Sequence, residues 1–382
     1  MKAGSKLLLV LVDGLPYWKV SSELTPFLAS IPVQGPLEPG IGFSINIYPE
    51  LFAGKQPDDL GYFNKWRLKQ PEEYALPPWL ARLAARMADL SRVSQLGSRA
   101  LHKLWERISG EENLANVPFR LLHYYARNPA KEILKTDDYP TVFNMWDMKL
   151  LLSYEFPGRL GEKDGEAVSA ALHAMQSDAS LFVLLGDLDT TAHVYGLDER
   201  FDVQIRRLDV WVEELAEAFQ RSHGSEAHIV VLSDHGMART DPRKAVLLNL
   251  ERRFGPICYD RYVPFVDALM LRVWVRDQKL LAGMADYLGG VGGGRILSEE
   301  ERRYFGVLNP DFGDIIFLLE EGYAFYPSFF GARFPKAMHG YHPKLDSQQA
   351  YYGYIGTDSV QLPTRSLQVF SVFQTLRSRG RE

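Results

Sequence analysis

Three short apolar runs, each broken by an aspartate, constrain this chain more than anything else in it. Lys6–Val12 ends in Asp13-Gly14, Leu181–Leu185 ends in Gly186-Asp187-Leu188-Asp189, and Ile229–Leu232 ends in Ser233-Asp234-His235-Gly236. Runs this short, without polar alternation, suit strands buried on both faces, as in a parallel sheet covered by helices. In open sheets of that kind ligands bind at the carboxyl edge, where each of these strands delivers a carboxylate. Asp189 and His193 lie four apart, so on a helical turn both side chains can face one point, and they are a metal-ligand pair by type. Alone, such a pair more often belongs to an ordinary hydrogen-bonded loop. Three strand ends that each deliver an aspartate tilt the reading towards a metal site.

Between the runs the chain alternates strand and helix. Thr25-Pro26 opens a short helix, with Thr25 as the expected N-cap. Gly40-Ile-Gly-Phe-Ser44 leads into a helical stretch ended by Gly54. A serine there can be a plain N-cap, or a hydroxyl placed to attack a phosphate held at a helix N-terminus. Helices are expected from Thr141, over 162–175, over 198–220 and over 364–376, with Asp209 at the surface or behind the site. Strands are expected over 150–154, 268–275 and 314–319, the last two flanking a helix over 278–288. From about 64 to 139 the alternation stops. Leu80–Trp105 is amphipathic at helical spacing, so 64–139 reads as a helical insertion, a lid or a partner surface, in a core of 1–63 and 140–382. Its basic stretch, Arg82 to Arg107, is more often a solvated face than an anion site. Gly289–Gly294 lacks the Lys-Ser/Thr of a phosphate loop and reads as a connector.

Composition narrows the class. A length of 382 residues suits one large domain with an insertion, or two domains. A net charge of −5 gives no electrostatic reason to bind a nucleic-acid polymer. Cys258 is the only cysteine, so neither an intrachain disulfide nor a thiolate cluster is available. No run approaches the roughly 18 apolar residues of a membrane span, and the first apolar run is too short for a signal segment. The expectation is a cytoplasmic enzyme.

Taken together, five stretches resemble the alkaline phosphatase superfamily, and within it the type I phosphodiesterases and nucleotide pyrophosphatases. Val12-Asp13-Gly14 resembles the first-strand ligand. Ser44 to Gly61 keeps the spacing of the nucleophile segment, T-x(8)-T-G-x-x-P-x-x-x-G. Asp189-Thr-Thr-Ala-His193-Val-Tyr-Gly196 resembles D-S-x-G-H-x-x-G. Ser233-Asp234-His235-Gly236-Met237 is the family's S-D-H-G-M unchanged, and His339-Gly340-Tyr341 resembles its last H-G-Y. The resemblance implies a three-layer α/β sandwich around a mostly parallel sheet. It implies one divalent ion on Asp189, His193 and His339, and a second on Asp13, Asp234, His235 and the Ser44 oxygen. Zinc is the usual metal and manganese the alternative. Ser44 would be the nucleophile that forms a covalent phosphoserine, on a small phosphoester such as a nucleotide.

The departures are specific. Serine replaces the branch's usual threonine, which leaves the nucleophile competent, and Leu188 replaces a proline. Where that branch places a phosphate-binding asparagine this chain has Lys65, with Asn64 one earlier. A lysine there favours a more highly charged phosphate, so a phosphomonoesterase is the alternative on the same site. A sulfatase lacks support because Ser44-Ile-Asn-Ile-Tyr48 has neither the Pro nor the Arg of its maturation motif. A cofactor-independent phosphoglycerate mutase would carry more ligands in a longer chain. A non-catalytic metal-containing binding protein would normally have lost a ligand or the nucleophile, and here every position is filled.

Overall fold

The computed structural model describes residues 5–73, 117–128, 136–177, 179–330 and 333–379, and these fall into two compact units. The expected helix over Leu80–Trp105 and the basic stretch Arg82 to Arg107 lie outside the described residues. The first unit gathers described residues of 1–56, 131–239 and 335–382, the second those of 57–130 and 240–334.

A six-stranded sheet organises the first unit. Its strands are β1 (Lys6–Val12), β2 (Val33–Leu37), β3 (Met148–Leu152), β4 (Ser180–Leu185), β5 (Ala227–Leu232) and β6 (Ala350–Ile355), in the order β2–β6–β5–β1–β4–β3. The four strands β5, β1, β4 and β3 are parallel, and β6 runs antiparallel to both of its neighbours. The three apolar runs are therefore adjacent strands.

Period-two alternation splits β1 between two cores. Leu8, Val10 and Val12 pack with Ala167 and Val168 of α4 (Lys163–Ala174) and with Phe201, Ile205 and Leu208 of α6 (Glu199–His223). Leu7, Leu9 and Leu11 face Ile47, Leu51 and Phe52 of α2 (Ser44–Ala53), Phe143 of α3 (Val142–Trp146) and Val369 and Phe373 of α7 (Ser366–Arg379). Helices thus cover both faces, which is the expected three-layer sandwich. Leu7 to Val12 are all fully buried, each contributing about 1.5–3 kcal/mol relative to exposure.

One expectation fails in an instructive way. Thr25 makes no side-chain cap to α1 (Pro26–Ser30); the N–H groups of Phe27 and Leu28 donate instead to the Asp209 carboxylate, at 3.0 and 2.9 Å. Asp209 is therefore buried and caps a helix; it is neither at the surface nor behind the site. Its position on α6, beside Ile205, Leu208 and Val212, puts it on the apolar face.

In the second unit, a four-stranded antiparallel sheet runs in the order Tyr262–Val266, Met270–Val275, Ile315–Leu319, Gly294–Ile296. The helix Leu281–Gly289 packs on it through Met284 and Leu288. The glycine run after that helix leads into a strand, in keeping with a connector. Trp66–Leu68 pairs antiparallel with Tyr125–Arg127, so the described ends of 64–139 form a β-ribbon. Among the described residues no helix is long and apolar enough to cross a membrane.

Candidate metal centre

Each ligand position follows from a strand ending. Asp13 is the first residue past β1, and its N–H donates to Leu185 O of β4 at 2.9 Å. Asp189 lies in the first turn of α5 (Asp187–Tyr195), which starts two residues after β4. Asp234 and His235 follow β5, where Asp234 Oδ1 accepts from the N–H of Gly14 (3.2 Å) and of His235 (3.1 Å). Gly14 has φ +75°, and a Cβ there would stand 3.1 Å from the Asp189 Cβ, so only glycine allows this approach. His339 follows the short strand Ala337–Met338, which pairs with Ala238–Arg239.

The side chains converge. His193 Nε2 is 3.2 Å from Asp189 Oδ1, and His339 Nε2 is 3.7 Å from the same oxygen. His235 Nε2 is 3.2 Å from Asp234 Oδ2, 3.4 Å from Asp13 Oδ1 and 3.3 Å from Ser44 Oγ. The His235 and His339 rings stack at 3.4 Å with an interplanar angle of 3°. Asp189, His193 and His339 form one group able to hold a metal, and Asp13, Asp189 and His235 a second, with Asp189 shared. The seven residues expected around the metals, Ser44 included, are thus brought together.

Ser44 is the first residue of α2, and the N-cap position belongs to Phe43, so its hydroxyl is not acting as the helix cap. Asn64 and Lys65 belong to the second unit. Asn64 is buried in a left-handed conformation (φ 60°), with Nδ2 3.7 Å from Met270 Sδ, and Lys65 Nζ lies 5.9 Å from the centre of the Trp66 ring.

Tautomer and charge test whether a cation fits. His193 Nδ1 lies 2.9 Å from Ala337 O, and His235 Nδ1 lies 2.9 Å from Gly236 O. A carbonyl only accepts, so each Nδ1 carries a hydrogen and each neutral ring turns a lone pair at Nε2 towards carboxylate oxygen. Acceptors facing one another at such distances need a proton or a cation between them. Asp13 Oδ1, Asp189 Oδ1 and Asp234 Oδ2 are buried and have no hydrogen-bond partner among the described residues. Without metal, protons fill the gap. Burial together with Asp234 and Asp189 pushes Asp13 up to about 8; burial pulls His235 down, but Asp234 and Asp13 outweigh it and raise it to about 10. Burial also raises Asp189, yet His193 wins and holds it below the usual carboxylate range. His339 is driven well down by burial and by His235. The donor set fits divalent cations, which would displace these protons.

Two supporting contacts were not anticipated. Tyr48 Oη donates to Asp13 Oδ2 at 3.4 Å; it lies one helical turn past Ser44, a spacing that could have flagged it. Asp164 of α4 accepts the N–H groups of Gly186 (2.8 Å) and Asp187 (3.2 Å), while Asp187 accepts those of Gly161 (2.9 Å) and Asp164 (3.3 Å). Each carboxylate caps the other's helix, which fixes the turn that presents Asp189.

The family model of the type I phosphodiesterases and nucleotide pyrophosphatases matches residues 103–342. The chain belongs to that family. It is therefore a phosphoric ester hydrolase in the alkaline phosphatase superfamily, whose type I phosphodiesterase members depend on divalent metal. The matched span holds Asp189, His193, Asp234, His235 and His339, and Asp13 and Ser44 precede it. No curated protein matches the chain. Among solved structures, human ectonucleotide pyrophosphatase/phosphodiesterase 5 superposes with a TM-score of 0.64 at 13% identity, over 98% of this chain and 95% of that one. The murine protein of the same name, an inactive threonine-to-alanine variant in complex with AMP, gives 0.63 at 15% identity, over 98% and 95%. At that identity the likeness is one of fold.

Proposed function

We propose that this chain hydrolyses phosphoric diesters and nucleotide pyrophosphates through a covalent phosphoserine on Ser44, at a centre of two divalent cations. The observation that carries the reading is Ser44 Oγ, 3.3 Å from His235 Nε2, beside carboxylate oxygens that lack partners among the described residues. Asp189, His193 and His339 would hold one ion, and Asp13, Asp234, His235 and Ser44 Oγ the other. Nitrogen and oxygen donors without thiolate suit zinc first and manganese second. Bound there, the ions supply charge that lowers the pKa of the Ser44 hydroxyl and offsets charge on the phosphoryl oxygens.

Ser44 Oγ forms a bond to phosphorus as the bond to the leaving oxygen breaks, and the leaving alcohol or nucleotide departs. Water then breaks the Oγ–phosphorus bond, releasing the phosphate monoester and restoring the serine. The AMP bound by the murine relative supports a nucleotide ester as substrate.

The test compares bis-p-nitrophenyl phosphate with p-nitrophenyl phosphate on zinc- and manganese-loaded enzyme, for wild type and Ser44→Ala. The expected result is a preference for the diester and a fall on the order of 10³-fold or more in the variant. Persisting turnover in Ser44→Ala removes Ser44 as nucleophile. Preference for the monoester shifts the reading to a phosphatase, the outcome that Lys65 favours.

A further inference from the structure

We propose that Gln348 is a positioning residue that locks His339 against His235 and so couples the two halves of the metal centre; this rests on the metal-centre reading above. Gln348 is buried at 1% exposure, and its side-chain oxygen accepts two consecutive backbone N–H groups, Gly340 at 2.9 Å and Tyr341 at 3.2 Å. An amide oxygen has two lone pairs, and both are used here. Its main-chain carbonyl meanwhile accepts the N–H of Gly236, at 2.8 Å. One residue therefore holds the backbone immediately after His339 and immediately after His235.

The neighbourhood leaves little slack. A Cβ on Gly236 would stand 2.1 Å from Ser347 O, so the His235 turn lies directly on the segment that carries Gln348. Tyr351 N–H donates to Ser233 Oγ at 2.9 Å, which ties the same segment to the start of that turn. Before His339 the chain is held by the pairing of Met338 with Ala238; after it, the side chain that holds the N–H groups of Gly340 and Tyr341 is Gln348. The His235 and His339 rings are already in van der Waals contact at 3.4 Å, and Phe43, next to Ser44, meets the His339 ring edge-on at 5.4 Å. A shift of the His339 turn would alter both ligand spacing and the start of the nucleophile helix. Side chains that orient ligands from behind in this way commonly change metal affinity by about 10- to 100-fold when removed.

The test reads metal alone. Zinc affinity is measured by competition with a chromogenic chelator, and Tm is measured with and without zinc, for wild type, Gln348→Leu and Gln348→Glu. Leu fills the space without an acceptor; Glu keeps an acceptor oxygen at the same reach. The expected result is zinc binding about 10- to 100-fold weaker in Gln348→Leu, with a smaller zinc-induced rise in Tm, and a return to within about threefold in Gln348→Glu. If Gln348→Leu does not fold, Gln348→Asn, whose acceptor is withdrawn by one methylene, is read in its place with the same expectation. A folded Leu or Asn variant with wild-type zinc affinity overturns the inference. So does one that loses Tm equally with and without zinc, or a Glu variant as weak as Leu. A wild type that binds no zinc removes the metal-centre reading itself, and this inference with it.

Discussion

Two sets of carboxylates in the first unit are used in opposite ways. Asp164 and Asp187 are surrounded by donors: four backbone N–H groups point at them, and they hold two helix starts together. Asp13, Asp189 and Asp234 instead each leave an oxygen turned towards imidazole nitrogens and one another, with no donor. Asp234 is as buried as Asp164 and Asp187, so burial is not what marks the site. The mark is a cluster of acceptors arranged so that only a proton or a cation completes it. In the first set the carboxylate stabilises the fold; in the second it is strained until something positive arrives.

Substitutions separate the two sets most sharply by what they do without metal. Asp13→Asn should lower diester hydrolysis by about 10³-fold or more, yet leave the Tm of the metal-free protein unchanged or higher, since burial together with Asp234 and Asp189 already disfavours its charge. A clear fall in metal-free Tm would show Asp13 to be a structural carboxylate after all. Asp164→Ala should do the reverse. It leaves the N–H groups of Gly186 and Asp187 without this acceptor, which costs about 2–4 kcal/mol of stability while zinc stoichiometry is retained.

Glu50, on the helix that carries Ser44, lies between the two cases. It is buried, the Ser366 hydroxyl donates to it, and burial pushes it up to about 7. An acid raised in the folded state holds a proton that the unfolded chain has lost. Stability therefore falls as pH rises from about 4.5 to about 7 and stays low above that. Glu50→Gln should remove that slope, with stability equal to wild type near the acid end and higher above neutrality, by on the order of 3 kcal/mol. An unchanged difference across the range would mean that Glu50 does not titrate there. The smallest effect expected is for Tyr48→Phe, which frees Asp13 Oδ2: zinc affinity should drop by about tenfold or less, with Tm unmoved. An equal loss of Tm would assign Tyr48 to packing.

The parts of this molecule that could be read from sequence are those encoded in contiguous residues. The strands β1, β4 and β5 are uninterrupted apolar runs because both of their faces are covered, and their aspartates stand out because they end those runs. Asp189 and His193 share one helical turn. His339 has no such local context: it follows a two-residue strand, and only the resemblance of His339-Gly340-Tyr341 singled it out. Tyr48, Asp164 and Gln348 act through hydrogen bonds to residues distant in sequence or to backbone groups, and nothing near them announces the partner. Asp209 was misjudged although the signal was present, since its spacing from Ile205 and Val212 places it on the buried stripe of its helix. The helical spacing of Leu80–Trp105 lies outside the described residues and stays a reading of sequence alone.

The most direct test of the account is a count of metal. Wild type and Asp189→Asn are dialysed to equilibrium against zinc, and the bound metal per chain is determined by atomic emission. Because Asp189 belongs to both ligand groups, the account predicts two zinc ions in the wild type and at most one in the variant. A wild type without tightly bound zinc or manganese, or a variant that keeps both ions, would contradict it.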